Sequence, residues 1–124
     1  MAVPAVNVSE DMEYMRWLAE IDFYKSELPK MTQQLENILP DFYNASFAAK
    51  IEQFQNRFIR QREVIDILRH NIKQHENQIQ RLQKNYSADL KNAVTLEHKK
   101  LKNDMFVFID LFVELRSDFN DFIA

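Results

Sequence analysis

The chain contains no glycine and no cysteine in 124 residues. Without glycine there is no phosphate-cradling loop, no dinucleotide fingerprint and no primed hairpin turn. That argues against nucleotide-binding enzymes of the P-loop and Rossmann kinds. Without cysteine there is no disulfide framework, no thiolate metal site and no cysteine nucleophile. A cytoplasmic protein fits that absence. Long apolar runs are lacking too. No uncharged stretch of about 18 residues occurs, so no membrane span is expected. The opening MAVPAVNVSE has no basic region followed by a long apolar core, so it does not read as a signal peptide. The formal net charge is −3, which argues against a general nucleic-acid binder.

What is present is periodicity. From Phe47 the chain places Phe47, Ile51, Phe54, Phe58, Gln61, Ile65, Leu68, Ile72, His75, Ile79, Leu82 and Tyr86 at alternating steps of four and three. Only Gln61 and His75 are polar. A period of about 3.5 held this long means one continuous helix with a narrow seam, packed in coiled-coil fashion. A first helix carries Tyr14, Trp17, Ile21, Tyr24, Leu28, Met31, Leu35 and Ile38 at the same spacing. Ser9 is its expected N-cap, with Glu10, Asp11 and Glu13 at the positive end of its dipole. Pro29 falls inside the pattern and predicts a kink. A third helix carries Val94, His98, Leu101, Met105, Phe108, Phe112, Leu115, Phe119 and Phe122. Phe106, Ile109 and Val113 add a second stripe beside that seam, as a helix with two neighbours or a further chain would require.

The expected elements are helices over about 9–39, 45–86 and 88–123, preceded by a flexible arm at 1–8. Pro40 ends the first, Asn44 or Ser46 caps the second, and Ser87 opens the third. The short connections make successive helices antiparallel neighbours. The fold class is therefore all-α, an antiparallel three-helix bundle with coiled-coil packing and long second and third helices, in a single domain. Laid side by side from turn centres near Tyr43 and Ser87, the three seams fall into register. Leu28 meets Phe58 and Leu115. Tyr24 meets Gln61 and Phe112, where a hydrogen bond between phenol and amide is expected. Glu10, His75 and His98 share the last layer.

Beyond that layer the first helix runs out. Ile79, Leu82, Tyr86, Leu90 and Val94 would form the exposed apolar tip of a two-helix hairpin, a surface that seeks a partner. Residues 1–46 hold three basic and eight acidic side chains, whereas 47–86 hold eight basic and four acidic. Attraction between an acidic first helix and a basic second one supports antiparallel packing.

The leading expectation is a non-enzymatic helical interaction or structural module that associates with itself or another protein. It binds through the tip and through Phe106, Ile109 and Val113, with no cofactor and no small-molecule substrate. Two alternatives stand beside it. Glu10, His75 and His98 supply two imidazoles and a carboxylate, a set able to hold zinc or iron. Arg57, Arg60, Lys73, Arg81, Lys84, Lys99, Lys100 and Lys102 offer a basic surface to nucleic acid or anionic lipid. No Ser–His–Asp or paired-carboxylate arrangement can be placed, so catalysis is not expected. The stretch FQNRFIRQREVIDILRH from Phe54 to His70, with Trp17 and Leu18, resembles small uncharacterised all-helical bacterial proteins. The resemblance implies a bacterial cytoplasmic setting and no activity or site.

Overall fold

The structure, a computed structural model, describes residues 8–38 and 44–124, with side chains from Met12 onward. Three helices account for them: α1 (Val8–Ile38), α2 (Ala45–Lys84) and α3 (Ala88–Ile123). At about 1.5 Å per residue, the 40 residues of α2 span roughly 60 Å. The helices pack against one another as an all-α three-helix bundle. α2 is central: both other helices lie along it, and they touch each other far less.

Local chemistry fixes the helix ends. Asn44 caps α2, its side-chain oxygen accepting the backbone N–H groups of Ser46 at 2.8 Å and Phe47 at 3.3 Å. Those donors would otherwise be orphans of the first turn. Ser87 does the same for α3, accepting from the Leu90 N–H at 3.3 Å, and Asp89 sits in that helix's first turn. The connection between α2 and α3 is correspondingly short. α1 begins at Val8, so Ser9 lies within its first turn and not at its cap. The helix continues past Pro29 to Ile38 without interruption. The expected N-terminal arm and the Pro40 stop fall in residues 1–7 and 39–43, outside the described residues.

The core is the three seams. Ile21, Leu28, Leu35, Ile65, Ile72, Leu101, Phe108, Phe112 and Phe119 are almost wholly buried, and each such side chain contributes on the order of 2 kcal/mol. Aromatic rings tie the layers together. Phe119 meets Phe54 and Phe58 edge-on at 5.5 and 5.2 Å, and Phe47 stacks on Phe122 at 4.9 Å.

Two details differ from the layer count. The α1 seam sits up to one turn further toward the α2–α3 connection. Tyr24 rests between Phe108 and Phe112, at 5.6 and 4.6 Å, instead of against Phe112 alone. Trp17 lies against His98 at 4.9 Å, beyond the Met105 layer in which the count placed it. Tyr14 packs on Ile79, Leu82 and Val94. The second difference is at Gln61. Its side-chain oxygen is buried with no hydrogen-bond partner, so the expected bond with Tyr24 is not formed. Moving Tyr24 along the seam carries its ring onto the α3 phenylalanines, which explains the loss.

Candidate functional site

Three places concentrate unusual side chains: the outer face of α3, the α2–α3 end of the bundle, and the histidine layer between them.

α3 keeps an apolar surface outside the core. Phe106 is 71% exposed and Val113 43%, whereas Ile109 between them is half-buried against the main core. Around the other flank, Val107 and Leu111 are also exposed, and with Val64 and Ile67 they line a groove between α2 and α3. The seam steps of three and four account for the residues that are buried. Phe106 and Val113 lie roughly opposite the seam on the helix circumference, so no helix of this chain covers them. Exposed apolar residues elsewhere, such as Met15, Phe23 and Ile59, are scattered over the other helices.

The expected apolar tip has a different character. Ile79, Leu82 and Val94 are buried and form a second small core, with Leu90 and Tyr14 packed against them. Only Tyr86 of the five is exposed. The axial shift of α1 explains this, because it brings Tyr14 over a helix pair that would otherwise have no cover.

The histidine layer forms a chain of polar contacts through the bundle. His75 Nε2 is 3.2 Å from His98 Nδ1. His98 Nε2 is 3.3 Å from Glu13 Oε1, and Lys102 Nζ approaches Glu13 Oε2 at 3.8 Å. A carboxylate only accepts, so Glu13 requires the proton of His98 on Nε2. Which ring donates between His75 and His98 depends on their tautomers. His75 Nδ1 is buried without a partner. Burial, with the neighbouring His98 acting in the same direction, lowers the His75 pKa to about 4. His75 is thus a neutral imidazole at physiological pH.

The carboxylate that meets His98 is Glu13, three residues beyond the expected Glu10. Glu10 lies in α1, but its side chain is outside the described residues. Among the described residues no three His, Cys, Asp or Glu side chains converge as a metal site would need. Glu13 was not identified as a candidate from the sequence. Its spacing of one helical turn from Glu10 was the available signal.

The basic residues are partly engaged. Arg57 bonds Asp118 at 3.1 Å, Arg60 bonds Glu63, and Lys100 bonds Asp104 at 3.1 Å. Lys25 and Arg69 of the two facing helices pair with Asp66 and Asp22. Asp22 with Arg69 has the sense of an acidic α1 drawn to a basic α2, whereas Lys25 with Asp66 runs the opposite way, and exposed pairs of this kind contribute little individually. No described helix is long and apolar enough to cross a membrane.

Comparison with family models, with curated proteins and with solved structures finds no match. The resemblance of the Phe54 to His70 stretch therefore attaches to no family.

Proposed function

We propose that the chain is a non-enzymatic helical interaction module that pairs with a second copy of itself through the outer face of α3. The reading places it in the cytoplasm, in keeping with a chain that lacks cysteine. One observation carries it: Phe106 and Val113, two turns apart on the outer face of α3, stand exposed with no helix of this chain over them. Scattered apolar residues are ordinary on a protein surface, but a group on one helix with a phenylalanine 71% exposed marks a contact surface. A helix face is also readily self-complementary. A two-fold pairing places the same stripe on both sides of the interface.

The test is the mass in solution. Sedimentation of the wild-type chain should give a dimer, and Phe106→Glu and Val113→Glu should each shift it to monomer while leaving the helical circular dichroism intact. Both side chains are exposed, so neither change removes core packing. A wild-type chain that stays monomeric at high concentration contradicts the reading.

A further inference from the structure

We propose, on the reading that α3 joins two copies of the chain, that the groove between α2 and α3 is the socket for Phe106 of the second copy, which sets the two α3 helices parallel. The groove has a volume of about 420 Å³, and Val64, Ile67, Val107 and Leu111 form its apolar lining. Ile67, Val107 and Leu111 are exposed, so no described side chain fills it.

α3 thus carries a knob on one flank and a socket wall on the other. Phe106 is 71% exposed. At about 100° per residue, Val107 and Leu111 stand roughly 100° and 140° around the helix from it. Knob and socket are also level, because both wall residues lie within about a turn and a half of Phe106. Symmetry decides how two such helices combine. A two-fold axis parallel to α3 keeps heights and exchanges flanks, so each Phe106 faces the other copy's socket. A two-fold axis across α3 runs the helices antiparallel and sets knob beside knob and socket beside socket. Only the parallel pairing fills both grooves. A phenyl ring fits the space, since a protein cavity of about 150 Å³ already holds benzene. Charge agrees with the same pairing. Asp110, one turn beyond Phe106, is exposed and has no ion-pair partner among the described residues. Arg60 lines the groove beside Leu111, and its bond to Glu63 is an exposed pair that contributes little. In the parallel pair, Asp110 of one copy comes to the Arg60 side of the other.

The experiment has two arms, both on the full chain. The first compares Ile67→Glu with Ile59→Glu by sedimentation equilibrium. Both side chains are exposed on α2, but Ile59 lies on the α1 side. Ile67→Glu should weaken dimerisation by about a hundredfold or more, because each copy then meets the other's phenylalanine with an unpaired charge. Ile59→Glu should leave the dimer unchanged, and both variants should keep the helical circular dichroism of the wild type. The second arm places a nitroxide on Asn92→Cys, at the exposed outer face of α3 in a chain with no other cysteine. Parallel helices at contact distance should hold the two labels within about 20 Å. Antiparallel helices centred on Phe106 would hold them about 40 Å apart or more, at opposite ends of the pair. A dimer undiminished by Ile67→Glu, or labels about 40 Å apart, would overturn the socket and leave self-association through α3 standing. A wild-type chain that stays monomeric would overturn both.

Discussion

At the scale of single residues, the exceptions in the seams carry the information. Gln61 and His75 interrupt an otherwise apolar heptad, and both are buried. Each holds an unpartnered polar atom, so each costs stability where an aliphatic residue would not. Gln61→Leu is accordingly expected to raise stability by about 1 kcal/mol, read from chemical denaturation at neutral pH. His75 makes the fold acid-sensitive. Its pKa falls from the ordinary 6.5 of a histidine to about 4 on folding, so the unfolded chain takes up the proton first. The stability tied to the neutral ring is complete above about pH 6.5 and is lost as pH falls toward 4. The loss is on the order of 2–3 kcal/mol. His75→Leu should remove that part of the pH dependence, measured as urea midpoints at pH 7 and pH 4.5 for both proteins. These two positions were legible as seam exceptions. The pairing of His75 with His98 was legible too, from the shared layer. The carboxylate on His98 was not, because Glu13 reaches it through a shift of α1 that heptad counting does not specify.

At the scale of elements, the helices follow directly from the pattern, and their relative offset does not. Alternating steps of three and four fix which face of each helix is buried. Asn44 and Ser87 fix where α2 and α3 begin, because only a side-chain oxygen at that position satisfies the first-turn donors. The axial position of α1 depends on the geometry of the connection at 39–43 and on how large rings interlock. Tyr24 settles between Phe108 and Phe112, and that seating moves Trp17 and Tyr14 toward the α2–α3 end. The same shift turns an expected exposed tip into a covered second core. α1 also carries a cost. Pro29 lacks the N–H that would bond the preceding turn, yet the helix runs through it. Pro29→Ala should therefore stabilise the fold by about 1–3 kcal/mol, seen as a raised melting temperature.

At the scale of the whole molecule, three helices with one central member leave surface that a fourth would cover. α2 is flanked on both sides, but the outside of α3 is not, and Phe106 and Val113 lie there. The wide apolar face of α3 was readable from MFVFIDLFVEL as two stripes. Its exposure was not, because a second stripe fits burial against a neighbouring helix equally well in sequence. The account's central claim is that this face joins two copies of the chain. Sedimentation equilibrium of the wild type beside Phe106→Glu tests it most directly. A dimer that becomes a folded monomer on the substitution is the predicted result, and a wild type that remains monomeric at high concentration would contradict it.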